Sequence, residues 1–318
     1  DIITDLYVEN AKMVGKGYVG GISGYNHDGT IRNCAFSGTV QGKETVGGSN
    51  IGGICGYSGK NNDKAIIENC FSIGDVTGNI SVGGVCGCLG LDSSLANCYS
   101  ACTVTGNYNW GSIVGSVTRS YTITNCYYNS DVSNKGNSGT GLTTQELCEA
   151  VPSKLDSAVW NDGSYTVDTE GNLRTITAKY PSLKGVGEAY TAVKYEYNFG
   201  INGDDWQECT PIKEAADLSN ISNDPSGCYV LVNDIDFEGK EIAPIAAEFK
   251  GKLGGAGHTI GNFRINKQDP DPGSLYVGLF RNNEGLIMDL AVSGTIFGGG
   301  EVGGICGRNR GTIYRCSF

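Results

Sequence analysis

One phrase governs this chain: a hydrophobic residue, Gly-Gly, an aliphatic residue, a small residue and Gly, then a polar loop and a β-type run closing on Asn-Cys. It begins at Val19 (VGGISG, leading to IRNC and Cys34), Ile51 (IGGICG, to IENC and Cys70), Val82 (VGGVCG, to LANC and Cys98) and Trp110 (WGSIVG, to ITNC and Cys126). It returns at Val302 as VGGICG, before IYRC and Cys316. Repetition at a spacing of roughly 25–32 residues predicts an array that grows by stacking. A single coil offers about four inward apolar side chains, far too few to offset the ordering of its backbone. A lone coil cannot fold, whereas several coils sharing strands and an interior can.

The rest of the composition agrees with short strands and tight turns. Gly reaches 50 residues, yet there is no Gly-X-Y period and only 7 prolines, so collagen is excluded. Asn, Ser, Thr, Tyr and Val are frequent and long helical periodicity is absent. The net charge of −11 repels phosphate backbones and argues against nucleic acid as a partner. No apolar run approaches the ~18 residues of a membrane-spanning helix, so membrane insertion is not expected of this chain. No signal peptide is present and the first residue is Asp1, so upstream sequence is expected to have been removed.

The 13 cysteines follow the repeat. Cys55, Cys86 and Cys306 sit in the Gly-rich phrase; Cys34, Cys70, Cys98, Cys126 and Cys316 follow Asn or Arg. Stacked coils place equivalent residues about 4.8 Å apart, within disulfide reach, but in-register side chains point the same way and suit the disulfide dihedral poorly. Rows of small buried thiols are therefore expected. No CxxC…CxxC zinc pattern occurs, and Cys86-Gly-Cys88 alone carries no metal site.

Residues 1–141 hold the first array, and all prolines fall after it. In residues 30–40 the inward candidates are Ile31, Asn33 or Cys34, Phe36 and Val40, and the break of alternation at Asn-Cys predicts a bend. The glycines at 20, 21, 52, 53, 83 and 84 would permit positive φ or close backbone approach. Residues 142–200 read as cap and linker. Residues 142–150 form a short helix with Thr143 or Thr144 near its N-cap and Glu146 in its first turn, ended by Val151-Pro152. Trp160 and Tyr180-Pro181-Ser182-Leu183 would cover an open solenoid end. Residues 201–318 read as the opening of a second array, with a helix expected within 204–218 and a strand in 227–237.

These phrases resemble the GLUG-motif repeats of bacterial cell-surface and secreted proteins, including adhesin-like proteins and regions beside the protease domain of some IgA peptidases. The resemblance covers 1–141 through the four phrases and their Asn-Cys partners, and 225–318 through SGCYVLVNDIDF, FKGKLGGAGHTIGNF, YVGLF and VGGICG. It implies an all-β, parallel β-solenoid, extracellular display and a role in adhesion or surface architecture. No catalytic residue is carried over by it. Trp110 and Ser112 depart from the phrase, as suits a terminal coil.

Candidate sites are few. His27 lies in NHDG and His258 in GAGHTI, where turn roles account for both, and neither has a hydrolase partner motif. Asp269 and Asp271, spaced by prolines before Gly273, and the group Asn233, Asp234 and Asp236 offer hard oxygens for calcium, without EF-hand spacing. Tyr108, Trp110, Tyr127 and Tyr128 cluster near one end of the first array and could stack on sugar rings or a protein surface, half of them as core. No catalytic residue, cofactor or metal site is assigned. The expectation is a non-catalytic structural or adhesive protein outside a bacterial cell. Its candidate partners are a surface glycan, a host protein, or further copies of itself joined head-to-tail through solenoid ends into a filament. A fragment of a longer repetitive protein is the other reading of the chain ends, and a polysaccharide-active enzyme the third class.

Overall fold

The computed structural model describes residues 1–43, 49–59, 64–136, 138–149, 155–267 and 275–318. Nearly all regular structure is β, wound as a parallel β-solenoid. The chain divides into two compact units, residues 1–165 with 177–192 and residues 166–176 with 193–318. The segment 142–200 is thus shared between them.

The first unit has three parallel faces. On the longest, Ile2–Gly15 pairs with Thr30–Gly42, which pairs with Ile66–Thr77, Tyr99–Thr105, Tyr127–Asn129 and Thr140–Leu142 in turn. A second face stacks Val19–Gly20, Ser49–Gly52, Ile80–Gly83 and Tyr108–Gly111; the third stacks Ser23–Asn26, Cys55–Ser58, Cys86–Leu89 and Val114–Val117. Equivalent residues lie in register: Ile31 opposite Ile67, Cys34 opposite Cys70, Val40 opposite Val76, and Cys55 opposite Cys86. The interior is therefore built in columns, and Ile31, Cys34, Phe36 and Val40 all face inward, at most 1% exposed.

Glycine in the phrase serves close approach. A Cβ on Gly21, Gly53 or Gly84 would lie 2.1–2.3 Å from the carbonyl oxygen of the coil above (Gly53, Gly84 and Ser112 respectively), a distance no side chain tolerates. None of these glycines needs positive φ. Ser112 occupies the same position in the last full coil. Its hydroxyl meets Ser133 Oγ at 2.9 Å, and its N–H donates to the Lys135 carbonyl at 3.0 Å. A returning loop covers that end.

The expected bend is a left-handed residue. Asn33, Asn69, Asn97 and Asn125 have φ of 50, 50, 53 and 51°, a conformation Asn tolerates better than other non-glycine residues. Each following Cys turns its thiol inward and donates to the carbonyl two residues back: Arg32, Glu68, Ala96 and Thr124 at 3.2, 3.2, 3.1 and 3.4 Å. The thiol adds a second donor to that carbonyl: Thr124's also accepts the Asn97 N–H at 3.0 Å.

Outward of this corner lies a second row, Ala35, Phe71, Tyr99 and Tyr127. Trp160, Leu147, Tyr180 and Leu183 bury it. Trp160 packs at 5.7 Å from Tyr99 and 6.1 Å from Phe71, and Tyr99 donates to the Pro181 carbonyl at 2.6 Å. The expectation that Trp160 and residues 180–183 close an open end is corrected: they buttress a flank, because the outward row is aromatic and needs cover. The helix Thr144–Glu149 starts as expected, with Thr143 as cap: its backbone N–H donates to Glu146 Oε2 at 2.8 Å, and its hydroxyl accepts the Glu146 N–H at 3.2 Å. The stop expected at Val151-Pro152 lies outside the described residues.

In the second unit, Trp206–Ile212 pairs antiparallel with Thr191–Asn198 through Tyr195–Asn198, and parallel with Cys228–Leu231. Lys252–Gly254, Leu286–Met288 and Thr312–Tyr314 extend that parallel face. Two further faces carry Ile235–Asp236, Thr259–Lys267 and Ala291–Gly298, and Ala246–Phe249, Phe280–Asn283 and Cys306–Asn309. The helix expected within 204–218 is corrected to the strand Trp206–Ile212 and a 3-10 turn Ala215–Leu218, followed by the helix Ser219–Asn223. Cys209 and Ile212 are buried and the strand has partners on both sides. Pro211 lies beyond the antiparallel pairing, which ends at Cys209, so its missing N–H costs nothing on that side.

Candidate ligand-binding surface

The aromatic residues near Tyr108 do not assemble into one platform. Tyr127 is 9% exposed, within the flank cluster, and Tyr128 packs against the interior. Trp110 also packs on the interior, with the Lys135 ammonium 4.3 Å above its ring. Tyr108 alone is open, at 65% exposure.

A different aromatic group gathers on the third face, where Tyr25 and Tyr57 fall in register on adjacent coils. Their rings are stacked, 5.2 Å apart and 6° from parallel. Tyr18 stands edge-on to both, at 5.3 and 5.6 Å, and the His27 ring lies 5.8 Å from Tyr25. Tyr18 and Tyr25 are 54% and 38% exposed. Burial raises the Tyr25 and Tyr57 phenols above their usual range, so both remain neutral hydroxyls. Asp28 projects beside the group, its carboxylate 3.8 Å from His27 Nδ1. The signal was present in the sequence: Tyr25 and Tyr57 each follow the closing Gly of the phrase, and Tyr18 precedes Val19.

In the second unit the corner residue is Asp289, with φ of 52°, and its successor one coil on is Arg315, with φ of 51°. The Asp289 carboxylate accepts hydrogen bonds from Arg315 Nη2 at 2.7 Å, Asn172 Nδ2 at 3.0 Å and the Tyr197 hydroxyl. Burial pushes this carboxyl up, but the bonds from Arg315, Tyr197 and Asn172 outweigh it and hold it below the usual range. Burial pushes the Tyr197 phenol up, aided by its bond to Asp289. The group borders a 380 Å³ cleft with Glu170 and Gly257. Every donor of this cluster is aimed at one carboxylate, so the cluster fastens structure.

The weak calcium candidates divide. Asp269 and Asp271 lie outside the described residues. Asp234 accepts the Thr259 N–H at 2.8 Å and faces His258 Nδ1 at 3.3 Å; Asp236 accepts the Glu238 N–H at 2.7 Å; Asn233 donates to the Lys213 carbonyl at 3.0 Å. These three hold backbone turns. Among the described residues no group of three or more His, Cys, Asp or Glu is placed to hold a metal ion.

Eleven cysteines are free thiols, nine of them buried. Burial pushes Cys86 and Cys98 well up and Cys102 up to about 11, so these thiols stay protonated and unreactive. Cys209 and Cys228 form a disulfide between adjacent parallel strands, their Cα atoms 4.8 Å apart.

Residues 15–41 and 47–77 match the GLUG motif. Over 205 residues the chain is 26% identical to Halomucin of Haloquadratum walsbyi (strain DSM 16790 / HBSQ001), covering 54% of this chain and 2% of that protein. The chain therefore spans only a small fraction of this relative's length. No solved structure matches the chain.

Proposed function

We propose that this GLUG-motif repeat protein is an extracellular structural and adhesive module, non-catalytic, displayed on the outside of a bacterial cell. The observation that carries the reading is the columnar stack itself: coil after coil in register, with interior positions closed. Such an array is a quasi-one-dimensional spacer whose length is set by coil number. Likeness to part of Halomucin, a far longer protein, fits a module within an extended chain. No helix among the described residues is long and apolar enough to cross a membrane.

Self-association is the finer part of the proposal. Ile3 and Leu6 are 38% and 40% exposed, although Ile31 and Cys34 in the same columns are closed, and Ile2 beside them is 64% exposed. Residues 2–8 and 312–318 match the same stretch of the repeat. A head-to-tail joint would place Asp5 opposite Arg315, while the other two faces would each lack a strand. The joint then rests on one face and predicts weak association.

Protease shaving of intact cells tests the surface reading: cleavage of the chain without lysis is expected, and full protection overturns it. Sedimentation and electron microscopy at high concentration test the joint, which a strictly monomeric particle eliminates. Turnover of a polysaccharide by the purified chain would overturn the non-catalytic assignment.

A further inference from the structure

We propose that Tyr18, Tyr25 and Tyr57 form a stacking platform for the apolar face of a neutral pyranose ring, with Asp28 and His27 as its polar rim. This site goes beyond the structural role and does not depend on it.

Stacking alone does not call for these tyrosines. The column holding Tyr25 and Tyr57 continues through Cys88 and Ser116 on the next two coils, so the ladder accepts small side chains there. Aromatic surface is nevertheless gathered at one place and left open, Tyr18 to 54%. Exposed aromatic carbon is unfavourable in water, and a cluster of it marks a binding surface. The arrangement has two walls, since Tyr18 stands 64° and 69° from the rings of the stacked pair. A pyranose fits such a corner through its axial C–H face, which lies flat on a π-surface.

The rim selects the ligand class. The Asp28 side chain is 57% exposed and the His27 side chain 43%, so both can reach ring hydroxyls although they lie 3.8 Å from each other. A carboxylate accepts from two neighbouring hydroxyls at once. That same carboxylate, on a chain of net charge −11, repels uronic-acid and sulfated polymers. Neutral oligosaccharides remain.

The test is a printed array of cello-, xylo-, manno- and chito-oligosaccharides beside oligogalacturonates, probed with the whole chain. Retention on at least one neutral series is expected, weakened at least tenfold by the double variant Tyr18→Ala, Tyr25→Ala with an unchanged thermal midpoint. Should that variant unfold, Tyr18→Ser replaces it, together with nitration by tetranitromethane, which the retained oligosaccharide should slow at Tyr18. Retention on no neutral sugar, retention only on oligogalacturonate, or equal retention by the variants overturns the proposal. None of these outcomes bears on surface display or self-association, which are measured separately.

Discussion

In the first unit four corners of the longest face are an Asn followed by a buried Cys, after a first corner at Asp5-Leu6; in the second, the same two positions hold Asp289-Leu290 and then Arg315-Cys316. Both solutions place a left-handed residue at the bend. The first joins neighbouring corners through neutral amides, Asn69 Nδ2 to Asn33 Oδ1 and Asn125 Nδ2 to Asn97 Oδ1, each at 3.2 Å. The second joins them through an ion pair tied to Tyr197 and Asn172. An amide is donor and acceptor in one side chain, so the neutral corner repeats without limit. A carboxylate only accepts, so it needs a donor on the next coil, Asn33 Nδ2 for Asp5 at 3.0 Å and Arg315 for Asp289, and that corner cannot be copied onto itself. The comparison separates a corner built for repetition from one built for a particular neighbour.

The two units should differ most at the second glycine of the phrase. Gly53→Ala aims a Cβ at the Gly84 carbonyl 2.1 Å away, whereas Gly304→Ala meets the side chain of Phe318, which can rotate aside. The first should destabilise its unit by more than about 4 kcal/mol, or prevent folding, and the second by about 1–2 kcal/mol. Urea unfolding resolved by hydrogen exchange in each unit reads the two separately. Next in size is the thiol: Cys70→Ala empties a fully buried site and removes the thiol's bond to the Glu68 carbonyl, at a cost of about 2–3 kcal/mol. Cys316, half-buried, should cost about 1 kcal/mol on the same change. Equal losses at both positions would mean that the thiol serves volume alone.

Acid should distinguish the corners in a different way. Because the native Asp289 carboxyl lies below its unfolded value, the unfolded chain binds the proton more tightly. The stabilisation it supplies is whole above the unfolded value of about 3.9 and drains away as pH falls through the depressed native value. Asp289→Asn should flatten that acid limb in the second unit, and Arg315→Ala should lower stability at neutral pH by about 1 kcal/mol. The amide corners have no matching titration. The smallest effect is at the bend: Asn97→Gly should change stability by only a few tenths of a kcal/mol, while Asn97→Ala, forced to a φ near 53°, should cost about 1 kcal/mol. A melting curve of each variant suffices.

What could be read from the sequence follows from what repeats. Ile31, Cys34 and Val40 recur in register and Phe36 keeps their alternation, so periodicity predicts an inward set, and the Asn-Cys phase break announces the corner. The flank formed by Trp160 and Leu183 was misplaced because it answers an outward row, Phe71 and Tyr99, that becomes visible only once coils are stacked. Trp206–Ile212 was read as helix because a single strand beside a proline has no local signature; its reason is two partners, Tyr195–Asn198 and Cys228–Leu231, remote in sequence from one another. The cluster of Tyr18, Tyr25 and Tyr57 lacks a local signature for a related reason. Tyr18 and Tyr25 lie seven positions apart, and Tyr57 joins them only through the ladder.

Ser112 carries a consequence for how such chains change in length. Its single extra carbon stands where Gly21, Gly53 and Gly84 leave room for the next carbonyl, and a returning loop occupies the space instead. A duplication inserted anywhere below that serine adds a rung without disturbing any contact above it. A duplication that copies the serine itself installs a second full stop, and the tower can then rise no further than the first.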